Sequence, residues 1–196
     1  MAGLFEDMNW TDGQINPSGI ATEVYYIPKS DIETFPVVAA SPTTAATNVQ
    51  LSGDFVLKTD KRWFRLHSTQ GKGELTFEAV GEKECKMFLN KGKFSFPDLN
   101  DAAKSHAKQA LNSSLAYCVK LPHQTEKRYI ILGDADYDTE SKPTGNSGAE
   151  PGSAKGLNFE VEAPGFTPLP GYTGEIICTG ETLDCATGVW TDNLLV

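Results

Sequence analysis

Between Gly53 and Phe96 apolar residues recur at every second position, as Phe55 and Leu57, Phe64 and Leu66, Leu75 and Phe77, Met87 and Leu89, then Phe94 and Phe96. Successive side chains of an extended chain point to opposite sides, so a period of two marks strands with one face on a core. Several such strands in series predict an antiparallel sheet. Gly71-Lys72-Gly73 and Asn90-Lys91-Gly92 interrupt the pattern and read as hairpin turns, since glycine accepts the positive φ that a tight reversal needs. In Glu74-Leu75-Thr76-Phe77-Glu78-Ala79 the alternation puts Glu74, Thr76 and Glu78 on the face away from the core.

The other segments extend this reading. Val24-Tyr25-Tyr26-Ile27, ended by Pro28, is a β-branched and aromatic run that predicts a first strand. Val49-Gln50-Leu51, Tyr117-Cys118-Val119 and Tyr129-Ile130-Ile131-Leu132 predict further strands. Leu157, Phe159 and Val161 alternate with Asn158, Glu160 and Glu162, and Glu175-Ile176-Ile177-Cys178 reads as the last core strand. One helix breaks the series: Asp98 is placed to cap it, and Leu99, Ala102, Ala103, Ala107, Ala110, Leu111 and Leu115 form an apolar stripe. Thr43-Thr44-Ala45-Ala46-Thr47 is too small and polar for a core element. Residues 1–19 read as an irregular arm, and 139–156, rich in Gly, Ser, Pro, Lys and Glu, as a flexible surface loop. The expected fold is one mainly-β domain over residues 1–196, a β-sandwich or small antiparallel barrel with one flanking α-helix near 98–115.

Chemistry is sparse in this sequence. Its 26 acidic and 17 basic residues give a net charge of −9, which argues against a surface that neutralises nucleic-acid phosphates but allows a polyanion to pass nearby without sticking. No apolar run approaches the roughly 18–20 residues of a membrane-spanning helix, and the amino terminus has no hydrophobic block, so folding in a cytoplasm is expected. His67, His106 and His123 have no partners at metal-ligand spacing and are expected to be packed or solvated. Asp134-Ala135-Asp136-Tyr137-Asp138 has the alternation of a calcium loop but lacks the glycine and glutamate that such a loop needs, and reads as an exposed acidic turn. No nucleophile elbow, phosphate-binding loop or dinucleotide fingerprint is present. Cys85 and Cys118 fall in segments that read as buried strand. Cys178 and Cys185 bracket a turn and could bridge a hairpin under oxidation, though the reduced state is expected. Neither a cofactor nor catalysis is expected.

Met1-Ala2-Gly3-Leu4-Phe5-Glu6, Asn9-Trp10-Thr11-Asp12-Gly13, Val24-Tyr25-Tyr26-Ile27-Pro28 and Asp31-Ile32-Glu33-Thr34-Phe35-Pro36 look like the opening of virion proteins from tailed phages of Bacteroidota hosts. The series that follows is a strand at Gly73–Thr76, a lone helix, further strands, a loop, and Gly156-Leu157-Asn158-Phe159-Glu160-Val161-Glu162. Across about residues 1–180 this order of parts resembles the tail tube proteins of tailed bacteriophages. The resemblance implies hexameric rings stacked into a hollow tube, with sheets of neighbouring subunits joined around a channel through which DNA passes without specific binding. It further implies contacts with other tail proteins, assembly in the host cytoplasm and a final place in the virion tail. Residues 1–19, 40–50 and 139–156 would bridge subunits, with Leu4, Phe5 and Trp10 as anchors, and Glu74, Glu78, Glu160 and Glu162 would give the lumen an acidic lining.

Rival readings remain. A tail terminator, baseplate or head decoration protein would share the fold. A carbohydrate-binding module would use Trp10, Trp63 or Trp190 as a stacking platform, and an enzyme with residues drawn from distant strands would leave no local signature.

Overall fold

The computed structural model describes residues 7, 8, 10–122 and 128–193; Leu4, Phe5 and His123 lie outside them. The chain first forms β1 (Glu23–Pro28), a single 3-10 turn, β2 (Ile32–Thr34), β3 (Val37–Val38), α1 (Ala45–Val49), β4 (Gln50–Ser52) and β5 (Val56–Leu57). Next come β6 (Phe64–His67), β7 (Glu74–Val80), β8 (Met87–Phe96), α2 (Asp101–Ala110), β9 (Leu115–Leu121) and β10 (Arg128–Leu132). The last elements are β11 (Glu140–Asn146), β12 (Gly156–Gly165), β13 (Gly171–Tyr172), β14 (Glu175–Ile177), β15 (Glu181–Asp184) and β16 (Val189–Asp192). The protein is mainly β, with antiparallel pairing throughout except between β13 and β4.

A seven-stranded sheet, ordered β3-β4-β13-β10-β9-β1-β6, forms the central layer. Its strands alternate between two cores. Tyr25, Ile27, Ala116, Cys118 and Ile131 point into one core with Phe55, Trp63, Tyr172, Ile176 and Leu183. The three-stranded sheet β14-β15-β16 and the β2–β5 pair supply the cover on that side. Val24, Leu115, Tyr117, Val119 and Leu132 point the other way, against Phe94, Leu157, Phe159, Val161 and Ala163 of a four-stranded sheet, β11-β12-β8-β7, and Ala103 and Ala110 of α2. Burial on both faces explains why Tyr117-Cys118-Val119 and Tyr129-Ile130-Ile131-Leu132 are unbroken apolar runs while the outer sheets alternate. Among the described residues no helix is long and apolar enough to cross a membrane.

Several local expectations change. Asn90-Lys91-Gly92 is not a turn: β8 runs straight through it for ten residues. Gly92 is there because the space of a side chain is taken, by Leu132 from the central sheet and by Phe94. Gly71-Lys72-Gly73 does reverse the chain, but it links two sheets, since β6 pairs with β1 and β7 pairs with β8. The helix is shorter than the stripe implied. Asn100 caps it through a bond to the Ala103 amide, while Asp98 forms an ion pair with Lys155. Leu111 is 61% exposed just past its end, Ala102 is exposed, and Leu115 belongs to β9.

Residues 43–47 form the cap and body of α1, closed by reciprocal bonds between Thr44 and Thr47, because a capping box can start a helix that has no apolar stripe. The expected loop at 139–156 is β11 followed by a shorter connection. Its inward residues are Ser141, Pro143 and Gly145, so no apolar period betrays the strand. Ser141 is buried by a 3.1 Å bond to the Tyr117 hydroxyl, and a proline is tolerated where a strand is paired on one side only. Cys85 is exposed in the β7–β8 turn, and two strands follow Cys178.

Gly92→Ala tests the close approach of the two sheets. The new methyl would lie 2.6 Å from Leu132 Cδ1 and 2.8 Å from Phe94 Cζ, both fully buried ends that have nowhere to swing. A loss of about 1–3 kcal/mol is expected in urea denaturation, and an unchanged midpoint would contradict this packing.

Candidate functional site

The four glutamates singled out in the sequence, Glu74, Glu78, Glu160 and Glu162, lie on one surface, the face of the four-stranded sheet turned away from the core. Cross-strand register puts them there. Lys142 stands opposite Glu160, Glu160 opposite Lys93, and Lys93 opposite Glu74. The adjacent row reads Glu140, Glu162, Lys91, Thr76. The face therefore carries five glutamates and three lysines, so it is a mixed ladder with an acidic excess of two rather than a uniformly acidic lining.

Ion pairs connect the ladder. Lys91 Nζ lies 2.7 Å from Glu78 and 3.8 Å from Glu162, and Lys142 Nζ lies 3.2 Å from Glu162 and 3.6 Å from Glu140. Lys93 reaches Glu160 at 3.9 Å. Hydrogen bonding to Glu78 raises the Lys91 pKa, and bonding to Glu162 does the same for Lys142, so these two lysines hold their charge beside a carboxylate. Pairs in water each contribute about 0–1 kcal/mol, too little to hold the sheet. Their effect is on register, since a slip by one residue would turn Lys91 and Lys93 into the core and Phe94 out of it.

Among the described residues the sheet has two free edges. β7 and β11 each have a strand partner on one side only, and each is seven residues long. Phe77, on the inner side of β7, is 53% exposed and touches Phe88. A long edge with an exposed aromatic is a template for another strand. Lys91, Glu140 and Lys142 were missed as members of this site because their segments read as turn and loop, and Lys93 directly follows the misread turn. The spacings Lys-x-Lys and Glu-x-Lys were the available signal.

Other candidates are dispersed. Trp10 is 65% exposed in the arm. Trp63 is 1% exposed, and Trp190 is covered by the Arg65 guanidinium 4.2 Å over its ring and by Tyr25, so two of the three aromatics proposed for sugar stacking are engaged. Asp138 pairs with Lys29 at 3.0 Å while Asp134 accepts the Asp136 amide, and among the described residues no group of three or more metal-ligating side chains converges. Cys178 and Cys185 are free and buried. The ladder sets Cys178 against Glu181 and Cys185 against Gly174, at opposite ends of their hairpin.

His106 lies under α2 beside a small cavity of about 140 Å³ that Tyr26, Arg65, His67 and Phe159 also line. Its ring meets Tyr26 and Phe159 edge-on at 4.3 and 4.8 Å, and its Nε2 has no hydrogen-bond partner among the described residues. No protein-family model, curated protein or solved structure matches this chain.

Burial lowers the His106 pKa from 6.5 to about 4, so below pH 6.5 the unfolded chain takes up the proton that the folded chain refuses. Stability from this residue is complete above pH 6.5 and declines as the pH falls towards 4. His106→Phe should flatten that part of the stability–pH profile by about 2 kcal/mol, measured by denaturant midpoints. A profile of unchanged slope would show that His106 does not carry the effect.

Proposed function

We propose that the protein is a non-enzymatic structural subunit that assembles with copies of itself into stacked rings, forming a tail tube through which DNA passes. One observation carries the reading: among the described residues the four-stranded antiparallel sheet is open at both edges and has an even number of strands. Its edge strands β11 and β7 consequently run in opposite directions. A second copy related by rotation about an axis along the strands presents its β11 antiparallel to β7 of the first, the orientation in which hairpin-type ladders form. Contacts of this head-to-tail kind close into rings when the rotation divides a full turn. Six subunits per ring is the number that the resemblance implies.

In such a ring the charged ladder faces the bore and the seven-stranded layer lies outside it. The lysines are already matched by Glu78, Glu160 and Glu162. Paired in this way, they release few counterions to a phosphate backbone, and the acidic excess keeps DNA from adhering. Terminator, baseplate and decoration proteins would use similar edges, but tubes that grow by stacking distinguish a tube subunit from a terminator, which stops at one ring.

Negative-stain electron microscopy of the purified protein is expected to show hollow tubes. Phe77→Lys should abolish them, because an inward-pointing charge on an edge strand blocks further pairing. Half-exposed already, Phe77 should cost the monomer no more than about 1 kcal/mol when replaced. Monodisperse wild-type monomers at high concentration would refute the proposal, as would tubes unaffected by Phe77→Lys.

A further inference from the structure

The pairing partners within the sheet determine more than that two edges are free. Across β8, the strand β11 covers the rows from Lys91 towards Pro97, through Glu140–Glu162–Lys91 at one end and Asn146–Gly156 at the other. On the opposite side β7 covers the rows from Met87 to Lys93. The two edge strands have equal length but are displaced by four residues across four strands, so the sheet is a parallelogram and not a rectangle.

We infer that β7 of one copy pairs with β11 of the next over the full length of both strands, in the register Glu78 opposite Lys142. The inference rests on the ring-forming reading above. Parallelograms tile edge to edge only when the edges overlap completely, which aligns 74–80 of one copy with 146–140 of its neighbour. Thr76 then faces Thr144, Phe77 faces Pro143, and Glu78 faces Lys142. Inward-facing residues meet inward-facing residues, as the pleat requires. The exposed Phe77 gains cover from the Pro143 ring, at the loss of one ladder donor because a proline has no N–H, and the alternation of charge along the ladder gains an opposite-sign pair where two copies meet.

Closure gives an independent check. A sheet closes into a barrel only if its strands tilt by about 35–45°, with a matching stagger. A stagger of four residues over four strands is one residue per strand, or about 3.3 Å along the chain for every 4.8 Å across it, a tilt near 35°. Eight-stranded barrels with a shear of eight share this ratio and tilt by about 36°. The alternative register, with Glu74 opposite Lys142, also pairs opposite charges, but it has no stagger and leaves four residues of each edge unmatched.

Disulfide trapping separates the registers. In a Cys85→Ser background, which removes the exposed thiol, Thr76→Cys with Thr144→Cys places two exposed thiols in facing rows of adjacent copies. Oxidation of assembled tubes is expected to give a ladder of covalent oligomers up to the complete ring on a non-reducing gel. Thr76→Cys with Glu140→Cys, which matches the unstaggered register, should stay monomeric on the same gel. A ladder from the second variant alone, equal ladders from both, or none from either in intact tubes would overturn the register while leaving the tube reading in place. Wild-type protein that forms no tubes would overturn both.

Discussion

Everything in this fold hangs on burying β9 and its neighbours on both faces. From Leu115 to Val119 every side chain is buried, and neighbouring residues belong to different cores. No single sheet partner can satisfy such a strand, so the chain must build two covering layers. The C-terminal meander and the β2–β5 pair cover one side; α2 and the four-stranded sheet cover the other. The four-stranded sheet in turn keeps a charged outer face, while Val56, Ile177 and Val189 are exposed on the other cover.

That arrangement frees the four-stranded sheet to act as a surface. Its inner face is committed to Phe94, Phe159 and Val161, while its outer face carries the ladder of glutamates and lysines. Weak, screened ion pairs do little for stability at this exposure, whereas a register error would bury charge and expose aromatics. The apolar face supplies the energy, and the charged face makes one alignment of four strands the acceptable one. The four-residue offset of the edges is a consequence of that alignment.

Free edges of this length are ordinarily a liability, since each offers unpaired backbone groups to any extended chain. Here they differ. β7 offers an exposed aromatic and two glutamates, while β11 offers a proline, a lysine and small inward residues. Unlike edges are what the proposed contact between β7 of one copy and β11 of the next requires, since it runs in one direction around an axis.

The class of fold, most of the long strands and the single longer helix were legible in the sequence, because alternation and the three-to-four-residue stripe are direct images of which side faces water. The placement of Glu74, Glu78, Glu160 and Glu162 opposite the core was legible for the same reason. Tertiary structure alone decided the rest. β11 has no apolar period because Ser141 is held inside by a hydrogen bond, and Gly92 sits mid-strand because another sheet needs its space. Lys91 and Lys142, which join the glutamates into one ladder, come from those two misread segments. Alternation says which face of a strand is wet; which strands lie side by side, and so which charges meet, depends on contacts far apart in the chain.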